Sequence, residues 1–317
     1  MQVLRSLMLV GLIALLFSCS NDDDGGITSV PPRLLSEVVA EDAAALEEYL
    51  STHFYNYEDF ENPPAGFDYR IVLDTIADEN ADKIPLINRP ELQTITLSVD
   101  SDDFNLDDGE TVDHTMYFLS AREGAGGSPT VADSTFLRYE GSLLNGSPFD
   151  ATSTHIWQYL PFTLRGYREG VSQLKSGDGV VVNPDGTTSI TNAGAGVMFL
   201  PSGLAYFNSA IDGIPRYSPL IFKIEVGLYI EDTDYDNDGV PSILEDVDGD
   251  GDVTNDNTDE DEERKSGLLF LANHLDDDDD QDGTPTRDEI IIDALGNLTF
   301  PDGDGDGIPD YLDRDNP

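Results

Sequence analysis

Cysteine is nearly missing from this 317-residue chain, which has one, Cys19. A single thiol excludes an intramolecular disulfide framework, a Cys-cluster zinc site and a Cys-ligated iron–sulfur cluster. Four scattered histidines leave little for a His-based metal centre. Basic residues are scarce too: 16 Lys+Arg stand against 64 Asp+Glu, a formal net charge of −48. A phosphate polyanion needs a basic footprint, so nucleic acid is not an expected partner. An unaided anionic membrane surface is disfavoured for the same reason. Hard divalent cations are the ligands this charge favours.

Long apolar runs are absent beyond the first residues. Arg5 precedes Leu7–Phe17, eleven mostly apolar residues that suit a secretory signal and are too short to span a bilayer. Leu16-Phe17-Ser18-Cys19 resembles a bacterial lipobox. That resemblance implies cleavage before Cys19, acylation of Cys19 and stable membrane anchoring. The alternative is a plain signal peptide with an incidental Cys. Ser20-Asn21-Asp22-Asp23-Asp24-Gly25-Gly26 reads as a solvated tether. It resembles acidic runs that export lipoproteins to the outer surface. The expected location is therefore the outer membrane, facing the cell surface, with a periplasm-facing anchor as the alternative.

The acid is unevenly spread. Residues 232–317 hold 30 Asp+Glu against 4 Lys+Arg. This break is the clearest domain boundary, and the tail is too polar to bury a core unaided. Five regions follow: a signal peptide (1–18), a tether (19–33), an N-terminal helix and strand extension (34–112), a central domain (113–231) and the acidic tail (232–317). Leu35, Val39, Ala43, Leu46 and Leu50 recur at helical steps and predict an amphipathic helix over 34–51. Residues 52–92 are mixed and aromatic and carry no assignable chemistry. From residue 94 the rhythm turns to period two. Leu220, Phe222, Ile224, Val226, Leu228 and Ile230 predict a long strand with one buried face. Tyr167, Val171 and Leu174 return to a helical rhythm. The fold class is thus α+β: an antiparallel sheet with one short helix, a helical N-terminal extension and a C-terminal repeat tail.

A set of motifs in the central region resembles a known family. Tyr139-Glu140-Gly141 is followed by Gly146-Ser147-Pro148-Phe149-Asp150, Leu164-Arg165-Gly166-Tyr167, Gln173-Leu174-Lys175-Ser176-Gly177, Leu200-Pro201-Ser202-Gly203-Leu204-Ala205-Tyr206, Ile214-Pro215 and Ser218-Pro219-Leu220-Ile221-Phe222. In order and spacing, residues 113–231 resemble an FKBP-type peptidyl-prolyl cis–trans isomerase, near the isomerase lipoproteins associated with gliding motility. Rotating an X–Pro bond crosses a barrier of ~18–20 kcal/mol as amide resonance is lost. The reaction needs no nucleophile, cofactor or metal. It needs a dry pocket and donors that favour the twisted amide. Tyr139, Phe149, Trp157, Tyr167, Tyr206, Ile214 and Phe222 supply apolar surface, and Asp150 a polar group.

The resemblance implies particular roles. Tyr139, Phe149 and Phe222 are walls, and Asp150 polarises the pocket or orients a neighbour. The Leu164 N–H and Tyr206 hydroxyl are donors to the substrate carbonyl, and Ile214 flanks the proline ring. Tyr167 stands where the family has Trp as the floor. The family's Pro-Phe pair has two candidates. Pro161-Phe162 matches by letter, and Trp157 matches by distance to Tyr167 and is taken as the wall. Phe207 replaces a usual Gly, and residues 178–195 look like an inserted hairpin. The expected partners are proline-containing exported polypeptides. The rival readings are a non-catalytic binding module with an ion-stiffened tail and a structural calcium adhesin.

The tail repeats a 12-residue template with oxygens at 1, 3 and 5, Gly at 6, a backbone carbonyl at 7 and a carboxylate at 12. Asp234, Asp236, Asp238, the Val240 carbonyl and Glu245 fit it. So do Asp278, Asp280, Asp282, Thr284 and Glu289, and Asp302, Asp304, Asp306, Ile308 and Asp313. Asp246, Asp248, Asp250 and Asp252 begin a weaker copy that ends on neutral Asn257. Pro at position 8 (Pro241, Pro285, Pro309) disfavours the helical exit of a helix–loop–helix hand. The loops resemble thrombospondin type 3 repeats and imply structural Ca²⁺. Residues 262–275 interrupt them with a small apolar plug and carry no functional account.

Overall fold

The computed structural model describes residues 31–315. The apolar run before Cys19, Cys19 itself and most of the tether lie outside them. The described residues from Arg33 onward belong to one compact unit, which therefore includes the stretches read as 34–112, 113–231 and 232–317.

Helix α1 (Leu35–Thr52) opens the unit. A short hairpin of β1 (His53–Tyr55) and β2 (Leu73–Thr75) follows, with the single-turn α2 (Tyr57–Glu61) between them. The main sheet is antiparallel and seven-stranded. It comprises β3 (Leu92–Asp100), β4 (Thr111–Arg122), β5 (Ser134–Leu143), β6 (Pro148–Ala151), β7 (Ile156–Tyr159), β10 (Gly194–Leu200) and β11 (Leu220–Ile230). Between β7 and β10 come α3 (Arg165–Ser172) and a hairpin of β8 (Gly179–Val182) and β9 (Thr188–Thr191). The order is β3-β4-β10-β11-β5-β6, and β7 also pairs with β5. Strand β3, from the N-terminal extension, is thus the outer neighbour of β4 in the same sheet.

Period two sorts the strands onto two covered faces. Met116, Phe118, Met198, Leu200, Phe222 and Ile224 meet Tyr167, Val171 and Leu174 in one core. Leu119, Val197, Phe199 and Ile221 meet Leu46, Tyr49 and Leu50 of α1 in the other. This corrects the reading of the last long strand. Its first three residues, Leu220, Ile221 and Phe222, are all buried, because the N-terminal extension covers the face that alternation alone assigns to solvent. Gly170 lets α3 lie close on the sheet, since a Cβ there would sit 2.5 Å from Met198 Cε.

The face of α1 also differs from the expected stripe. Leu35, Val38, Asp42, Leu46, Tyr49 and Leu50 are buried, while Val39 and Ala43 are only partly so. Asp42 is drawn inward because its Oδ2 accepts bonds from the Ser202 N–H (2.7 Å) and Oγ (2.6 Å). An apolar periodicity cannot register a carboxylate that caps a distant turn.

In the tail, each position-8 proline opens one short turn: Ser242–Glu245, Thr286–Glu289 and Asp310–Leu312. Val240, Ile290 and Tyr311 form a small core of their own. The expected apolar plug is not buried: Leu268, Leu269 and Phe270 are exposed. The buried residues of that segment are Glu263, Asn273 and His274, the last of them held by the tertiary contacts below. Among the described residues, no helix is long and apolar enough to cross a membrane.

Candidate functional site

A cleft of about 480 Å³ opens where β5, β6 and β11 face the segment leading into α3. It is lined by Tyr139, Phe149, Asp150, Leu164, Tyr167, Tyr206, Ile214 and Phe222, and also by Gln158, Phe162, Thr163, Ile211 and Asp212. Strand alternation puts Tyr139 and Phe222 on the face that carries α3. Phe222 is the hub: it meets Tyr167 edge-on at 5.1 Å and Phe149 at 5.5 Å, with Tyr139 at 6.4 Å. Gly141 makes room, because a Cβ there would lie 2.5 Å from Phe149 Cε2.

Tyr167 is buried beneath these rings, and its hydroxyl donates to Gln158 Oε1 at 2.9 Å. A buried phenol floor is therefore satisfied locally, by a residue that sequence reasoning did not single out. The Tyr139 hydroxyl donates to Asp150 Oδ2 at 2.5 Å. Burial and then the Asp150 carboxylate hold the Tyr139 phenol above its ordinary range. Burial first and Asp150 second also raise Tyr206. Both phenols thus stay protonated donors at neutral pH.

The two donors that the resemblance marks are both free. Leu164 precedes α3 with an extended backbone, and its carbonyl accepts from the Tyr167 and Arg168 N–H groups at 3.0 Å each. Its own N–H has no acceptor among the described residues. The Tyr206 hydroxyl likewise has no partner among them. Ile214 closes the cleft from a tight turn bridged to Ile211. Phe207, next to Tyr206, holds φ +40, a left-handed conformation that favours glycine. Its ring offsets that strain by burial between Phe104 (4.8 Å) and Tyr217 (5.1 Å).

One expected wall is elsewhere. Trp157 is 52% exposed and packs on Phe136, its cross-strand partner, at 5.2 Å on the outer face of β7. Alternation along β7 turns Gln158 toward the cleft and sends Trp157 away. The ring that lines the cleft is Phe162, from the pair matching by letter.

The tail presses on this same wall. Tyr235 stacks on Tyr159 at 4.1 Å and meets Phe162 edge-on at 5.2 Å. The Tyr159 hydroxyl and His274 Nδ1 share a hydrogen bond of 2.9 Å. Asp252 Oδ1 pairs with Arg168 Nη2 at 2.5 Å, and Arg168 also donates to the Thr163 carbonyl.

The four acidic loops share one geometry. The carboxylates of Asp236, Asp248, Asp280 and Asp304 each accept the backbone N–H two residues on. Gly239, Gly251, Gly283 and Gly307 all take positive φ, which a side chain would strain. The remaining oxygens converge. Asp234, Asp236 and Asp238 form one triad, Asp246, Asp248 and Asp250 another, and Asp278, Asp280 and Asp282 a third. Buried oxygens of Asp234, Asp236, Asp238, Glu245, Asp278, Asp280, Asp282 and Glu289 have no hydrogen-bond partner. Burial first and neighbouring carboxylates second push Glu245 up to about 10, and Asp236 and Glu289 up to about 8. A set of hard, unpaired, desolvated oxygens suits a hard divalent cation. Sequence reasoning missed Asp279, Asp259, Glu263 and Asp276, which fall off the template and join further clusters, Asp238–Glu245–Asp279 and Asp259–Glu263–Asp276.

The FKBP-type peptidyl-prolyl cis-trans isomerase FkpA of Buchnera aphidicola is 31% identical over 115 residues, which is 35% of this chain and 39% of that protein. FkpA of Escherichia coli K12 is 29% identical over 111 residues, 35% of this chain and 36% of that one. The chain is thus homologous, at modest identity over a third of its length, to FKBP-type peptidyl-prolyl isomerases, and it spans well under half the length of these relatives. A scan against protein-family models gives no match. Among solved structures, a peptidyl-prolyl cis-trans isomerase of Pseudomonas syringae aligns with 64% of this chain and all of its own at 15% identity and a TM-score of 0.36. Escherichia coli FkpA aligns with 62% of each chain at 18% identity and a TM-score of 0.34.

Proposed function

We propose that the protein is a peptidyl-prolyl cis–trans isomerase, anchored through Cys19 in the bacterial outer membrane, acting on exported polypeptides, with a tail that binds Ca²⁺. The observation that carries the catalytic reading is the pairing of two free donors, the Leu164 N–H and the Tyr206 hydroxyl, with an aromatic cleft.

In this reading a proline ring enters over Tyr167, between Phe149, Ile214 and Phe222. Stripping water from the preceding carbonyl weakens the planar, charge-separated amide. The two donors then hold the carbonyl in the twisted geometry, which is where binding lowers the barrier. Asp150 keeps Tyr139 in place through their hydrogen bond. No proton is transferred and no covalent intermediate forms. A protease-coupled assay on a proline-containing peptide tests this. A catalysed rate at micromolar protein is expected, and no rate gain overturns it in favour of a binding module. The anchor is tested separately: Cys19→Ser moves the protein from the membrane to the soluble fraction.

Bound Ca²⁺ would supply positive charge to the tail and no chemistry to the cleft. The residues that would hold it are Asp234, Asp236, Asp238 and Glu245, then Asp278, Asp280, Asp282 and Glu289, with the loops at Asp246 and Asp302 as further sites.

A further inference from the structure

Asp279 is out of place in a loop reading. It falls between two loop positions, Asp278 and Asp280, and is 1% exposed. Its Oδ2 accepts from the Thr286 hydroxyl at 3.1 Å, while its Oδ1 has no partner. Asp279 gathers with Asp238 and Glu245, which come from a loop more than thirty residues earlier. Both are fully buried. Asp238 keeps Oδ2 free after Oδ1 accepts the Val240 N–H, and Glu245 has both oxygens free. No ion pair reaches any of the three among the described residues.

We propose that Asp238, Glu245 and Asp279 hold a hard divalent cation of their own, between two loops, and that this ion clamps the tail onto Tyr159 in the wall of the cleft. The proposal rests on the calcium reading of the loops and extends it to a site off their template. Buried carboxylates with free oxygens either take up protons or meet a counter-charge, and an ion with several oxygen ligands satisfies three at once. Asp279 lies outside the triads Asp234–Asp236–Asp238 and Asp278–Asp280–Asp282, so its cluster is counted apart from them. Asp238 and Glu245 would bridge both ions.

The clamp follows from what each ligand carries. Tyr235, which stacks on Tyr159, lies in the loop of Asp238. Glu245 ends the turn Ser242–Glu245, which packs on the turn Asn273–Leu275. That second turn holds His274 against the Tyr159 hydroxyl and leads into Asp279. An ion here therefore ties together the two pieces that enclose Tyr159. Tyr159 is followed by Phe162, Thr163 and Leu164, the cleft wall with its free N–H.

The test uses the full chain and calcium alone. Calorimetric titration counts bound ions for the parent, Asp279→Ala and Asp279→Asn, the last of which retains an acceptor for Thr286 should the first fail to fold. Amide hydrogen exchange over residues 156–168 is then read in calcium. The expected result is one calcium fewer in the variants, with exchange over 156–168 faster by about tenfold. An unchanged ion count in a variant overturns the site while leaving the loops intact. One ion lost with unchanged exchange overturns the clamp. A parent that binds no calcium overturns the loop reading and this proposal with it. A parent that binds calcium but catalyses no isomerisation leaves both supported outcomes intact, since neither readout uses activity.

Discussion

Arg168 of α3 and Asp252 of the acidic tail form a buried ion pair of 2.5 Å directly behind the cleft wall. The helix that supplies the cleft floor through Tyr167 is thus held from behind by the tail. The tail is consequently part of the fold that shapes the cleft, rather than an appendage to it.

Removing that pair should be costly. Arg168→Ala leaves Asp252 with the longer Arg165 contact (3.7 Å) and its bonds from Thr254, and frees the Thr163 carbonyl, so unfolding free energy should fall by about 1–3 kcal/mol. Denaturant unfolding measures this, and a loss below about 1 kcal/mol would assign the pair no structural weight.

Tyr206→Phe deletes one of the two proposed donors without opening a cavity. Twisting an amide builds less charge than a tetrahedral oxyanion, so the scale is that of a neutral hydrogen bond, about 0.5–1.5 kcal/mol. A roughly 3- to 10-fold loss in kcat/KM is expected, with little change in stability. Full activity in the variant would remove Tyr206 from the mechanism.

Asp42 gives a pH signature. Burial pushes its carboxyl up to about 6 against an ordinary 3.8, despite the two bonds from Ser202. The folded protein then holds the proton more tightly than the unfolded chain. Stability from this group is greatest below about pH 4, declines as pH rises through about 6 and is level above. Asp42→Asn should remove that slope, worth about 2–3 kcal/mol. The check is the difference between the unfolding free energies of variant and parent across this range, and a flat difference refutes it.

The cleft lining contains Asp150 and Asp212 and no Lys, Arg or His. Peptides with Lys or Arg beside the proline should be turned over several-fold faster than their Glu counterparts at low salt, and the gap should close as salt is raised. Equal rates at low salt would show that neither carboxylate senses the substrate.

Much of this arrangement is legible in the sequence, for physical reasons. Period two in β11 reports which residues meet α3, and the order of Tyr139, Phe149, Asp150, Leu164, Tyr206 and Phe222 marks positions that the sheet gathers around one cleft. What escaped reading depends on a second element. Ile221 is buried because the N-terminal extension covers it, and Asp42 because Ser202 bonds to it. Distance along the chain favours Trp157, but the direction of a strand side chain is set by parity, and parity turns Gln158 to the cleft. Asp279 breaks the loop template, so only its convergence with Glu245 in space reveals it.

The position of Trp157 has a practical consequence. It is the sole indole of the chain, and it stands outside the cleft, half open to solvent against Phe136. Its emission should be red-shifted and quenched readily by aqueous iodide, and should stay silent as a proline inhibitor enters. Fluorescence titrations of occupancy will therefore need a label placed by design.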